Sequence, residues 1–515
     1  MPDSDPSLQE RLREEILFAR EQVYRFDHST PLERLIIPGI APEIWVKRED
    51  LSAIKSYKWR GACNRVANLT TAEAQIGIVT ASAGNHAQGV ALAAAKRGIH
   101  ATIFMPRTTP RVKQDAVRHH GGAFVTIQLV GDSYDDAVKA AKSESVSSGA
   151  TYIHAYDDLQ VMAGQGTLAD EIILSGQGPF DAAFLQIGGG GMAAGVSTWL
   201  KKYWPNMEII GVEGVHQASM KASLDAGKIL ELEQVDLFCD GTAVKKPGDL
   251  PFAICQTNLS RIVTVSNHEV SQAIRILWEG LRCIAEPSGA MGLAAALQER
   301  EEWVGKKILV VLCGANIDFL QLGHVAQSLG GLNLATKTLQ INIPERPGAM
   351  LSLLDRCFAG LNIEDFQYGK CSETQAWPVF RISAATLQSL EAVTDRLLAS
   401  DYRWNELSEA VDINYRAIPL KAELLSNPLF LRLDFYERAG ALHTFLDQRI
   451  RGKASICYFN YQQTGERIGR AMIGLDFPSP QELESWTKNM PKQGEGFRLC
   501  QPLDEATTNR ILGRF

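Results

Sequence analysis

At 515 residues the chain is too long for one hydrophobic core and long enough for two to four domains of ordinary size. Its 45% apolar and 22% charged content is that of a folded globular protein, and a net charge of −7 without a Lys/Arg stripe argues against a nucleic-acid partner. Met1-Pro2-Asp3-Ser4-Asp5-Pro6-Ser7 lacks the parts of a secretory signal, no apolar run is long enough to span a membrane, and nine singly scattered cysteines without a C-x-x-C pair fit a reducing, cytoplasmic setting without structural zinc.

Leu8 to Tyr24 carry Leu8, Leu12, Ile16, Leu17 and Val23 on a helical period, so an amphipathic helix is predicted there, broken by Thr30-Pro31. A short strand at Ile44 to Lys47 leads into the polar Arg48-Glu49-Asp50 and then Lys55 to Ala62. The next strand is read at Ile76 to Val79, followed by the turn Thr80 to Gly89 and a helix over Val90 to Lys96. Strands at His100 to Met105 and Ala123 to Leu129 alternate with helices, the signature of βαβ units and a parallel sheet. A second alternating block, from about Tyr152 to Leu329, has strands at Ala182 to Ile187, Glu208 to Val212, Arg261 to Val265 and Lys307 to Leu312. Helices at Gly191 to Tyr203 and Ser271 to Leu281 lie between them. The first 330 residues are therefore read as two doubly wound α/β domains.

After Gly330-Gly331 an internal repeat takes over. Leu339-Gln340-Ile341-Asn342-Ile343-Pro344-Glu345-Arg346-Pro347-Gly348-Ala349-Met350 has its counterpart in Leu431-Arg432-Leu433-Asp434-Phe435-Tyr436-Glu437-Arg438-Ala439-Gly440-Ala441-Leu442. Each copy reads as a strand, a Gly-containing turn and a helix (Leu351 to Phe358; Phe445 to Ile450). An aromatic strand follows, Phe366-Gln367-Tyr368 in one copy and Phe459-Asn460-Tyr461 in the other. Two small α+β modules are expected.

Three stretches carry chemistry. In Thr80-Ala81-Ser82-Ala83-Gly84-Asn85-His86-Ala87-Gln88-Gly89, small residues at a strand-to-helix turn leave N–H groups bare at a helix N-terminus, where a carboxylate or phosphate can be held. Asn85 adds a neutral donor and acceptor, and His86 is read as capping or packing. Gly188-Gly189-Gly190-Gly191 follows a strand and opens a helix, so its amides can cradle a phosphate. A flexible turn is the plain alternative, and Gly188-x-Gly190-x-x-Ala193 with Glu213 also satisfies a loose dinucleotide fingerprint, which leaves Lys58 and Asn85 without a role. Lys58 lies between Tyr57 and Trp59; apolar walls would lower its pKa and free the amine as nucleophile or base. An amine, a phosphate cradle and a carboxylate site are three parts of a pyridoxal-phosphate enzyme. Cys313 ends a strand and has the plain reading of a small buried hydrophobe, and Glu286 that of a charge at a helix cap, with a cofactor-side role as the alternative. His119-His120 is read as part of a surface turn, with a metal role given little weight.

Val46 to Asp50, Ser56 to Ala62, Thr80 to Gly89, the glycine run and Cys313-Gly314-Ala315-Asn316 together resemble the serine/threonine dehydratases of the fold-type-II pyridoxal-phosphate enzymes, with a tryptophan synthase β-like architecture. With the duplicated C-terminal region, the resemblance to the long, biosynthetic threonine dehydratases covers nearly the whole chain. It implies a catalytic region over 1–330, with a small domain of about 51–151 inserted in a large one of about 1–50 and 152–330. It also implies regulatory ACT-like modules at 338–409 and 429–500. By resemblance Lys58 forms the internal Schiff base with pyridoxal 5'-phosphate, Asn85 contacts the 3′-oxygen, and Gly188, Gly189, Gly190, Gly191 and Met192 bind the phosphate. Cys313 faces the pyridine nitrogen where many relatives place Ser. Ser82, Ala83, Gly84, Asn85 and His86 hold the substrate carboxylate. The implied reaction is β-elimination of L-threonine, and also of L-serine, to a keto acid and ammonia; an enzyme acting mainly on serine is the alternative. Ala83 stands where related racemases carry a serine, so racemisation is expected to be poor. Glu213 matches a cation ligand of some relatives, but Gln217 and Ser219 do not complete that site, and no divalent metal is expected. Isoleucine as inhibitor, valine as antagonist and a homotetramer complete what the resemblance implies.

Overall fold

The computed structural model describes residues 7–329 and, beyond them, 335–346, 349–359, 361–367, 374–384, 387–408, 420, 422–436, 444–450, 452–461, 468–490 and 497–512. It divides into two compact units, Met1–Phe319 and Leu320–Phe515.

In the first unit the chain lays down β1 (Leu32–Leu35) and β2 (Glu43–Arg48), then β3 (Ile78–Ala81), β4 (Ala101–Met105), β5 (Val125–Leu129) and β6 (Thr151–Tyr152), then β7 (Ala182–Gln186), β8 (Glu208–Gly214), β9 (Arg261–Val265) and β10 (Lys307–Leu312). These form a six-stranded sheet in the order β1-β2-β10-β7-β8-β9, parallel except for β1, and a four-stranded parallel sheet in the order β5-β4-β3-β6. From β7 the order runs through β8 and β9 on one side and through β10 and β2 on the other. A crevice therefore opens beyond the carboxyl ends of β7 and β10, the place where open α/β sheets bind ligands.

Helices α1 (Leu8–Val23), α2 (Lys58–Ala67), α3 (Thr71–Ile76), α4 (Asn85–Arg97), α5 (Arg111–Gly121), α6 (Tyr134–Ser148), α7 (Leu159–Leu174) and α8 (Gly191–Tyr203) cover the sheets in this half of the unit. The predicted spans for α8, β9 and β10 match the structure residue for residue. The predicted strand Ile76 to Val79 does not. Thr70 and Glu73 close a capping box that starts α3, which runs through Ile76; Gly77, at φ 100°, ends it, and β3 begins only at Ile78. Likewise Ser266 and Glu269 start the predicted Ser271 helix four residues early, at Asn267, and a 3₁₀ turn over Gly122–Phe124 delays the predicted Ala123 strand to Val125.

α7 is buried on nearly all sides and is met at backbone distance by its neighbours. A Cβ on Gly164 would lie 2.5 Å from the Arg60 carbonyl of α2, and one on Gly195 of α8 would overlap the Met162 carbonyl. Glycines on two helices thus let α2, and with it Lys58, pack against α7, and α7 against α8, at backbone distance.

In the second unit the repeat appears as a shared topology. One sheet has the order Asn362–Gln367, Val379–Ala384, Ala335–Ile341, Trp404–Glu406; the other has Ser455–Tyr461, Ile468–Asp476, Pro428–Tyr436, Phe497–Pro502. Both are antiparallel, and corresponding strands each carry a bulge, at Ile363/Asp365 and at Ile456/Tyr458. The predicted helix Leu351 to Phe358 is observed at Ala349–Cys357, whereas the predicted Phe445 to Ile450 helix takes wider, π-type turns over Leu446–Ile450. The turn at Glu437 to Leu442, part of the turn at Glu345 to Met350, Gly330-Gly331 and Tyr368 lie outside the described residues. Among the described residues no helix is long and apolar enough to cross a membrane, and every cysteine is a free thiol.

Candidate active site

Four chain stretches converge at the crevice. After β7, Gly188 to Gly190 turn into α8, with Gly190 at φ 93° as the residue before the helix. The amides of Gly191 and Met192, in the first turn, have no intrahelical acceptor and lie at the positive end of the helix dipole. Side chains are excluded from this loop: a Cβ on Gly188 would lie 2.9 Å from Thr242, and one on Gly189 would overlap the ring of Tyr156.

Lys58 opens α2 on the opposite wall. Its Nζ donates to the Gly241 carbonyl at 3.3 Å, and burial pushes the amine below its ordinary pKa against the opposing charge of Glu286. The preceding loop is stitched to the end of β10, since the Tyr57 amide donates to the Cys313 carbonyl at 3.1 Å and the Ala315 amide to the Lys55 carbonyl at 2.9 Å. Cys313 itself is buried, its Sγ donates to the Ser288 carbonyl at 3.6 Å, and burial raises its pKa well above the ordinary value, so the thiol is neutral.

The third wall is the start of α4. Gly84 is the residue before the helix and gives it no side-chain cap, which leaves the first-turn amides open. Asn85 faces the cleft and donates from Nδ2 to Glu286 Oε1 at 2.7 Å. Ser82 Oγ accepts from the Gly84 amide at 3.2 Å. The ring of His86 is turned away and bonds through Nε2 to the Ile153 carbonyl at 3.1 Å; burial drives its pKa down to about 3, so it packs as a neutral residue. The fourth stretch, which carries Gly241 and Thr242, is fastened to α5 by an ion pair of 2.5 Å between Lys113 and Asp240.

The cleft holds about 550 Å3 of space, its open mouth included, and brings together Lys58, Asn85, Gly188 to Met192 and Cys313. Ser82, Ala83, Gly84 and His86 are not among its lining residues. Sequence reasoning missed several that are, the Gly241 carbonyl, Gln165 and Gln186, while the structure puts Glu286 in the lining, in line with the alternative given for it. Glu286 precedes Pro287 at the start of a helix (Pro287–Gln298) but makes no capping bond. Burial, and next Asp240, raise its pKa, and it lies over Gly314, where a Cβ would overlap its carboxylate. The one visible signal was a lone acid among small residues, Ala285-Glu286-Pro287-Ser288-Gly289.

Glu213, a candidate ribose acid in the dinucleotide reading, is buried at the end of β8. Its carboxylate accepts from the amides of Met220 at 2.9 Å and Lys221 at 2.8 Å, and burial lifts its pKa to about 8. It is consumed within the fold and is not presented to a ribose.

Residues 24–314 match the family model described as pyridoxal-phosphate dependent enzyme, and residues 423–505 match that of the C-terminal regulatory domain of threonine dehydratase. The chain is 36% identical over 479 residues to the L-threonine dehydratase biosynthetic IlvA of Burkholderia multivorans, an alignment covering 91% of this chain and 93% of that protein. The chain belongs to the threonine dehydratases of the pyridoxal-phosphate-dependent enzyme family. The protein of the same description from Escherichia coli is 34% identical, with 89% of each chain covered. The solved structure of the processed form of threonine deaminase isoform 2 from Solanum lycopersicum is similar with a TM-score of 0.60 and 39% identity, covering 64% of this chain and 96% of that one.

The enzyme is accordingly a pyridoxal-phosphate-dependent lyase, and the cleft fits that cofactor. It offers a glycine cradle that no side chain could share, an amine of lowered pKa and a neutral thiol in one lining. Gln165 Oε1 and Gln186 Oε1 are two buried acceptors at the lining with no partner in the protein. Buried acceptors are rarely left without a donor, so both point to a bound molecule.

Proposed function

We propose that the enzyme converts L-threonine to 2-oxobutanoate and ammonia by β-elimination, the first step of isoleucine biosynthesis, and takes L-serine as a second substrate. The observation that carries this reading is the cleft that brings together the Lys58 amine, Gly188 to Met192 and Cys313. In this reading the glycine loop and the N-terminus of α8 hold the cofactor phosphate, Asn85 donates to the ring oxygen, and the Cys313 thiol, neutral, turns its one S–H from the Ser288 carbonyl to the pyridine nitrogen. Pyridoxal phosphate, when bound, supplies the carbonyl that takes up the substrate amine and the ring that draws away the electrons left at Cα. The turn Ser82 to His86, with the open first-turn amides of α4, holds the substrate carboxylate. Lys58 Nζ takes the Cα proton; burial favours its neutral form, the form a base needs. A neutral thiol in place of a carboxylate at the ring nitrogen favours elimination over reactions that need a fully protonated ring.

The two sheets of the first unit support a small domain of about 51–151 set within a large one, and the shared strand order of the C-terminal sheets supports two ACT-like modules; binding of isoleucine and valine there is proposed from the family resemblance. We also propose, on the family resemblance, that the enzyme acts in the cytoplasm as a homotetramer. The test is keto-acid release by the purified full-length enzyme. Release from L-threonine exceeding that from L-serine, and falling when isoleucine is added, is expected. Release from serine alone would turn the assignment toward a serine-specific lyase.

A further inference from the structure

Asn85 is gripped on both sides of its carboxamide. Nδ2 donates to Glu286 Oε1 at 2.7 Å, Oδ1 accepts from Asn316 Nδ2 at 2.7 Å, and the Asn316 amide donates to Glu286 Oε2 at 3.2 Å. These bonds close a ring of three residues drawn from the start of α4, the Glu286 turn and the loop after β10. Asn316 is itself held from outside the ring, since its Nδ2 also donates to the Ile54 carbonyl at 2.8 Å. The ring is built at backbone distance. A Cβ on Gly314 would overlap the Glu286 carboxylate, and one on Gly289 would overlap the Gly314 carbonyl, which accounts for both glycines.

A free carboxamide can rotate by half a turn and exchange its donor and acceptor ends. Here the exchange would set Asn85 Oδ1 against a carboxylate and Asn85 Nδ2 against the side-chain amide N–H of Asn316, two repulsive contacts in a buried site. Both Asn85 and Glu286 are less than a tenth exposed, so water offers little relief. One N–H of Asn85 therefore stays uncommitted within the ring, on a residue that lines the cleft. We propose that Glu286 and Asn316 are positioning residues that lock the Asn85 carboxamide so that its second N–H is directed into the cleft, where Asn85 acts toward the cofactor only as a donor. The inference rests on Asn85 as a contact of the cofactor ring oxygen and adds what makes that contact one-directional.

The test compares the visible absorption band of the bound cofactor, and kcat and KM for L-threonine, in full-length wild-type enzyme and in N85A, N316A, E286A and E286Q. N85A is expected to shift the band, and N316A and E286A to shift it in the same direction. In each, kcat should fall about tenfold, the loss of one hydrogen bond to a charged partner, while KM stays within about twofold. E286Q, which keeps the acceptor for Asn85, is expected nearer to wild type than E286A, and N85A with N316A combined no worse than N85A alone. A shift in N85A with unchanged bands in N316A and E286A would overturn the positioning role while leaving the Asn85 contact intact. E286Q equal to E286A would overturn it too, by tracing the effect to charge. An unshifted band in N85A would instead remove the Asn85 contact on which the inference stands. If E286A does not accumulate as folded protein, N316A and E286Q decide.

Discussion

Two residues from Lys58, Arg60 is fully buried, yet it is bound on every side. Its guanidinium donates from Nε to Glu49 Oε2 at 2.8 Å, from Nη1 to Glu171 Oε1 at 2.6 Å and to Thr167 Oγ1 at 3.1 Å, and from Nη2 to Glu49 Oε1 at 2.9 Å. Lys47, also buried, pairs with Glu171. Burial alone would raise the Glu171 carboxyl; Arg60, and then Lys47, more than reverse it, to about 2. Removing one partner from such a network leaves uncompensated buried charge, so Arg60→Met should destabilise the first unit by roughly 3–5 kcal/mol. The urea midpoint followed by tryptophan fluorescence checks this, and an unchanged midpoint would contradict it. His86 gives a pH signature. Its folded pKa of about 3 lies below the ordinary 6.5, so between these values the unfolded chain binds a proton that the folded chain does not. Stability is therefore lost as pH falls through 6.5, by up to about 1.4 kcal/mol per pH unit for one proton. His86→Gln keeps a donor for the Ile153 carbonyl without titrating, and its thermal midpoint should fall less between pH 7 and pH 5.5 than that of the wild type. Parallel decreases would count against the assignment.

Among the elements, the contact of α7 with α8 depends on glycine for close approach, and two opposing magnitudes decide what replacing it does. Alanine in a helix interior gains about 1 kcal/mol of propensity over glycine, whereas forcing a methyl into a packed contact loses about 1–3 kcal/mol. At Gly195 the obstacle is the Met162 carbonyl, a backbone atom that cannot swing aside, so Gly195→Ala should lower the thermal midpoint. Gly323, in the helix Phe319–Ser328, has nothing within 4 Å of the same position, and Gly323→Ala should be neutral or stabilising. Equal effects at the two sites would contradict the packing argument. Elements bounded by glycine or by charge were legible in the sequence, as α8, β9 and β10 show. The Ile76 to Val79 strand was misread because β-branched composition outweighed the capping box at Thr70 and Glu73. The active-site motifs were legible because each is contiguous: the glycine run, the Asn85 turn and Lys58 each place a functional group beside a tight turn. The Arg60 network and the Glu286 ring were not, since their members are brought together only by folding. Arg60 and Glu171 stand 111 residues apart, and Asn85 and Glu286 stand 201 apart.

At the scale of the whole molecule, the chemistry lies within Met1–Phe319, and the C-terminal repeat supplies two sheets of one strand order. The repeat was legible because a shared pattern of strand, turn and helix needs no tertiary information. What its turns hold was not, and part of the first and all of the second lie outside the described residues. In the first unit, strand order alone places the crevice beyond β7 and β10, and every group assigned a role there is set against one amine. The most direct measurement is therefore the rate of 2-oxobutanoate release from L-threonine by Lys58→Ala beside the wild-type enzyme, both with saturating pyridoxal phosphate. The proposed role of Lys58 as the base at Cα predicts a fall of at least about 10²-fold. Turnover within a few-fold of wild type would contradict the account.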